Sequence, residues 1–167
     1  MITQKKNDGF SLVELLTVIA IVAVLGAIAV PNMLSWLANK GLQSAARDLY
    51  SNMRKAQSFA VKLNRNCAVT FTGATGYIVY VDENKSFSHD AGERILAQEN
   101  WSSYRNVQVD SVTFKINADG DKTVAFQPNL LPLAYAGLTP NGTTKLKNST
   151  SRELNIAVSV SGNISLQ

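Results

Sequence analysis

Few side chains in this sequence combine a type and a spacing that could do chemistry. Glu14 is the first of them, the single ionisable side chain in the 21 residues from Phe10 to Val30. An acid inside an apolar run needs a positive partner, because translocon scales put a charge at the centre of a membrane span at about +2.5 to +3.5 kcal/mol, and less near its end. No side chain in the run supplies one. Cleavage after Gly9 would, since Phe10 would then carry a free ammonium four positions from Glu14. That amine could screen Glu14 within one molecule or meet the acid of a neighbouring copy.

The remaining candidates are thinner. Cys67 is the only cysteine, which excludes an intramolecular disulfide and any cysteine cluster for a metal, and reads as a small buried strand residue. His89 is the only histidine, so neither a zinc site nor a Ser-His pair has support, and it reads as a surface-loop residue. Asp119-Gly120-Asp121 has the start of a calcium loop but not its further ligands, and reads as a turn. Asp82, Glu83, Asp90 and Glu93 bracket a loop that would gather calcium only if the fold brought them together. Lys145, Lys147 and Arg152 are the candidates for a small nucleic-acid patch. No catalytic set, metal site or cofactor motif emerges, so the expectation is a protein that is not an enzyme.

The elements that must position these groups follow from periodicity. Residues 10–30 are long enough for a helix crossing a bilayer core of about 30 Å. Lys5 and Lys6 precede the run and the next basic residue is Lys40, a bias that keeps the N-terminus cytoplasmic and sends the rest outward. Beyond Pro31, Leu42, Ala45, Ala46, Leu49, Met53, Ala56, Ala60 and Leu63 fall at three- and four-residue steps, an apolar stripe along one helix. Lys40, Arg47, Asp48, Arg54, Lys55 and Lys62 lie on other faces and are expected to meet solvent or neighbours. Pro31 is expected to kink the helix or open it locally, and Gly41 to be a soft point or a brief break.

After Asn66 the texture changes to short alternating segments, among them "CAVTF", "GYIVYVD", "NVQVDSVTFKI", "TVAFQP" and "RELNIAVSV". Gly73-Ala74-Thr75-Gly76, Asn117-Ala118-Asp119-Gly120 and Ser161-Gly162-Asn163 read as hairpin turns. The fold class is therefore α+β, with a long N-terminal α-helix, apolar in its first half, packed on a C-terminal antiparallel β-sheet domain. The boundaries expected are a leader 1–9, a membrane or filament-core half-helix 10–30, an amphipathic half 31–65 and a β-rich head 66–167.

Gly9-Phe10-Ser11-Leu12-Val13-Glu14-Leu15, with its short basic leader and apolar helix, resembles the type IV prepilin processing site. The resemblance implies cleavage between Gly9 and Phe10 by a prepilin peptidase of the bacterial inner membrane, and N-methylation of Phe10. It also implies recruitment through Glu14 into a filament, on an inner-membrane assembly platform. Downstream, "GLQSAARDLYSNMRKAQSFAVKLNRNCAVTF" and "RELNIAVSVSGNISL" look like the GspH/FimT group of minor pilins and pseudopilins. That implies a low-abundance subunit of a type IV pilus or type II secretion pseudopilus, with the head in the periplasm or at the cell surface, helping to start or cap the filament. Its partners would be other pilins or pseudopilins.

Two other readings stay open. Some members of the group bind DNA, but the chain has a net charge of only +4, one less once Lys5, Lys6 and Asp8 leave, and the last hairpin carries Asn163 where such relatives tend to place a base. An ordinary secretory signal is the other, with Ala27-Ile28-Ala29 as its cleavage triplet, although Glu14 and Pro31 fit it poorly.

Overall fold

The three- and four-residue steps become the buried face of one helix. In the computed structural model, which describes residues 10–167, α1 runs from Leu12 to Leu63. The chain divides into two units, residues 1–36 and 37–167. Neither Pro31 nor Gly41 interrupts α1, so the expected local opening is not found. Proline removes one hydrogen bond, at about 3 kcal/mol, from a ladder that 52 residues sustain. Gly41 has a different use: a Cβ there would lie 2.6 Å from the Arg105 carbonyl oxygen, so glycine lets that backbone approach the helix.

Within residues 37–167, Leu42, Ala45, Ala46, Leu49, Met53, Ala56 and Ala60 of the predicted stripe are fully buried, its last member Leu63 is half-buried, and Ala38, outside that prediction, extends it at 1% exposed. Ten short strands surround that face: β1 (Asn66–Thr72), β2 (Gly76–Asp82), β3 (Ile95–Asn100), β4 (Val107–Val112), β5 (Lys115–Ile116), β6 (Lys122–Phe126), β7 (Pro132–Leu133), β8 (Gly142–Asn148), β9 (Glu153–Val158) and β10 (Ile164–Leu166). They form two antiparallel sheets. One has the order β3-β2-β1-β6-β5 with β7 also on β6, and the other the order β10-β9-β8-β4. The segment "NVQVDSVTFKI" is split between them, because Phe114 turns into the core and stacks on Phe71 at 5.7 Å. Gly142 must be small beside it, as a Cβ would come within 2.4 Å of the Phe114 ring.

The first sheet is covered on both faces, which is why β1 and β2 are buried almost continuously and not alternately. Cys67, Val69, Phe71, Val79 and Phe126 join the helix core, while Ala68, Ile78, Tyr80, Phe87 and Ala125 make a second cluster on the opposite face. Phe87 is brought there by Asp82, whose two carboxylate oxygens accept the Ser86 N–H at 3.0 Å and the Phe87 N–H at 3.3 Å. The other acids of that loop act alike. Glu93 accepts from the Glu83 and Asp90 backbone N–H groups, and Asp90 accepts from the Asn84 amide and the Ser86 hydroxyl. The loop thus closes on itself, through backbone donors to Asp82 and Glu93 and side-chain donors to Asp90, while Glu83 pairs with Arg65 at 3.7 Å.

Three charges expected to face away from the head instead tie α1 to it. Asp48 accepts from the Tyr104 hydroxyl at 3.0 Å, Lys55 donates to the Leu96 carbonyl at 2.7 Å, and Arg54 donates to the Ile164 carbonyl at 3.3 Å. Long side chains reach carbonyls across a helix face while their heads keep some solvent. Gln57, 4% exposed, is the buried member of this set: its amide donates to the Gly162 carbonyl at 2.7 Å and to Leu130 at 3.4 Å.

Candidate processing and assembly site

The first turn of α1 is built by a residue that sequence reasoning passed over. Ser11 precedes the helix, its carbonyl accepts from the Leu15 N–H at 3.1 Å, and its hydroxyl accepts from the Glu14 N–H at 3.2 Å. Those are the bonds of a helix N-cap, which satisfy a backbone donor that would otherwise lack a partner. The signal was present as Ser-x-x-Glu, the capping-box spacing. Glu14 therefore stands in the first helical turn, where the helix dipole favours an anion by a few tenths of a kcal/mol to about 1 kcal/mol. Ser11 holds the backbone of Glu14 and so sets where its carboxylate begins.

The rest of the segment is apolar and uncovered. All sixteen large hydrophobic side chains from Phe10 to Trp36 are at least 46% exposed. The most apolar 18-residue stretch of α1 has a mean hydropathy of 2.7 and none of it buried, a helix long and apolar enough to cross a membrane. Thr17 does not interrupt this surface, because its hydroxyl donates to the Val13 carbonyl at 2.8 Å within the helix. Pro31 lies inside α1 and leaves the Ala27 carbonyl without its helical donor. Gly9, Lys5 and Lys6 lie outside the described residues.

The basic candidates sit on the second sheet. Lys145 and Lys147 alternate along one face of β8, and Arg152 is in the turn leading into β9. Lys145 pairs with Glu153 at 3.3 Å and Lys147 with Asp110. The Lys147 ammonium holds the Asp110 carboxyl below the usual carboxylate range, and Asp110 raises Lys147 in turn. Asn148 makes the turn by accepting the Thr150 and Arg152 backbone N–H groups, and it donates to Asn39 of α1 at 2.9 Å. Two of the three cations thus already face a carboxylate, and the closing hairpin, residues 159–163, contains no basic residue. Cys67 is fully buried and burial pushes its thiol up to about 11, an inert state. His89 is exposed and sets its ring edge-on to Tyr80 at 5.2 Å.

Known proteins resolve what this arrangement belongs to. Residues 45–162 match the family described as Type II transport protein GspH, and residues 4–30 match the prokaryotic N-terminal methylation motif. The chain belongs to the GspH family of type IV pilin-like proteins. This pilin-like chain is 34% identical over 148 residues to the pilin-like protein PilA1 of Thermus thermophilus, covering 82% of this chain and 89% of that one. Crystal structures of the type IV minor pilin FimU of Pseudomonas aeruginosa, in two crystal forms, share its fold with TM-scores of 0.57 and 0.54 at 17% identity. They cover 77% and 75% of this chain and 90% and 92% of theirs. The long helix packed on antiparallel sheets is thus the minor-pilin fold. The families matched are structural pilins, which implies assembly with other pilins and processing by a prepilin peptidase.

Proposed function

We propose that this chain is a minor subunit that helps start or cap a type IV pilus or a type II secretion pseudopilus, cleaved after Gly9, N-methylated on Phe10 and assembled through Glu14. The observation that carries the proposal is a segment, residues 10–36, with sixteen exposed large apolar side chains and a single acid, Glu14, in the first turn of α1. Lipid tails are about as apolar as leucine, so moving those side chains from bilayer to filament core changes little free energy. The acid is what distinguishes the two environments. A unit charge pair at about 4 Å and an effective dielectric of about 20 interacts by about 4 kcal/mol. Pairing Glu14 with a Phe10 ammonium, its own or a neighbour's, would bias insertion and set register. Pro31 would mark where the filament-core half of α1 ends.

Before assembly the chain would sit in the bacterial inner membrane as a single span, head outward, on the assembly platform. A removable secretory signal ending at Ala29 has less support, since α1 passes through that position as continuous helix. DNA capture has less support too, since Lys145 and Lys147 are paired with carboxylates.

The test is intact-mass analysis and N-terminal sequencing of membrane-extracted protein. The proposal expects a methylated chain starting at Phe10, retention of the leader when Gly9 is made bulky, and loss of filament incorporation in Glu14→Leu with processing intact. A mature chain starting elsewhere, or unchanged incorporation of Glu14→Leu, would overturn it.

A further inference from the structure

The outer face of the first sheet carries a cleft of about 520 Å³ that the filament role does not use. Its floor comes from paired strands: Gly76 lies opposite Asn100 and Ile78 opposite Gln98, so Gln98 and Asn100 share the outer face with Ile78. One wall is the loop bearing Ser88 and His89, and the other is the Asp119-Gly120-Asp121 turn. Asn117 builds both walls at once. Its side-chain oxygen accepts the Asp119 and Asp121 backbone N–H groups, and its amide donates to the Phe87 carbonyl and the Ser88 hydroxyl. The cleft is therefore held by a buried side chain with all its hydrogen bonds made, 6% exposed.

The chemistry of the lining selects among ligands. No lysine or arginine contributes to it, which disfavours phosphate, carboxylate and nucleic acid. Glu99 lies opposite Tyr77 and alternates with Gln98 and Asn100 along β3, so its side chain is directed to the other face of the strand from the floor. What remains is mostly neutral: the amides of Gln98 and Asn100, the Thr72 hydroxyl and two carboxylates, the Thr70 hydroxyl being buried and bonded to those of Tyr80 and Thr123. Among the described residues no group of three or more His, Cys, Asp or Glu is placed to share a metal ion. The Gln98, Asp119 and Asp121 side chains have no hydrogen-bond partner among the described residues, whereas the loop acids beyond His89 are engaged.

We propose that this cleft binds a neutral saccharide. A carboxylate accepts from two adjacent hydroxyls, an amide donates to one oxygen and accepts from another, and Ile78 with the His89 ring offers apolar contact to the C–H face of a sugar. The volume suits about two sugar rings. Binding is independent of Phe10 and Glu14, so it stands or falls apart from the filament reading.

The experiment is saturation-transfer NMR on the full chain in a zwitterionic detergent that carries no sugar. The probes are cellobiose, maltose and N,N'-diacetylchitobiose, with spermidine as a cationic comparator. At least one disaccharide should bind with a dissociation constant on the order of millimolar, and Gln98→Ala and Asp121→Ala should each weaken it about tenfold while the unfolding midpoint stays put. Three results would overturn the proposal: no disaccharide binding up to about 10 mM, binding of spermidine alone, or affinity unchanged in both variants.

Discussion

Replacing Gln57 by leucine tests whether one buried amide clasps the last hairpin to the helix. The substitution shortens the side chain by one bond, keeps it bulky, makes it apolar, and removes its donors to the Gly162 carbonyl at 2.7 Å and the Leu130 carbonyl at 3.4 Å. Leu130 is 49% exposed, so water can replace that bond, but Gly162 is buried and its carbonyl is left without a donor. An orphaned buried acceptor costs about 1 to 3 kcal/mol, and the added apolar burial returns about 1 kcal/mol. The net loss of up to about 2 kcal/mol corresponds to a fall in Tm of up to roughly 8 °C for a head of this size. Thermal unfolding of the full chain in detergent, followed by near-UV circular dichroism, reads the midpoint. Amide exchange should also quicken at Gly162, whose N–H bonds the Ser159 carbonyl at 3.0 Å. A midpoint within about 1 °C of the parent, with exchange at the hairpin unchanged, would refute the clasp.

Gly162→Ala should destabilise more than Gly120→Ala: both glycines take positive φ, +83° and +90°, but only at Gly162 would the new Cβ meet a neighbour, the Leu130 carbonyl oxygen at 2.4 Å; urea midpoints of the two variants, measured side by side, check this ordering. Asp82 has its folded pKa raised, chiefly by burial, so its charged form is penalised in the fold: its contribution favours folding below about pH 4 and shrinks as pH rises past that value. Asp82→Asn should therefore flatten the pH dependence of the unfolding midpoint above about pH 4, and a parallel curve would count against the assignment. Cys67, with its thiol raised to about 11, should label with a thiol reagent at pH 8 only on unfolding, and rapid labelling of the folded chain would contradict its burial.

The helix and its chemistry were legible in the sequence because they depend on local spacing. The stripe from Leu42 to Ala60 is a period, and the acid at Glu14 is conspicuous because nothing near it is charged. Ser11 is equally local: its Ser-x-x-Glu spacing places a helix cap inside the processing motif. The turns at Gly73, Gly120 and Gly162 adopt positive φ as their residue types predict, but so do Lys85, Phe87, Leu130 and Ala136, which no propensity marks. Phe87 takes that conformation because two Asp82 oxygens and a second apolar cluster hold it there.

The sequence by itself determined an apolar span with one acid at its head, an amphipathic continuation, and a strand-rich remainder divided by glycine turns. Each of these follows from residues a few positions apart. Tertiary structure alone decided that the strands make two sheets, that Phe114 divides a continuous strand pattern between them, and that Gln57, Asp48 and Lys55 reach the head. It also decided that Lys145 and Lys147 face carboxylates, and that Gln98 meets Ile78 across from the Asp119 turn to make a cleft. Those outcomes join residues tens of positions apart, and a pairing of that kind is set by which surfaces the whole chain can bury together, a quantity no local pattern carries.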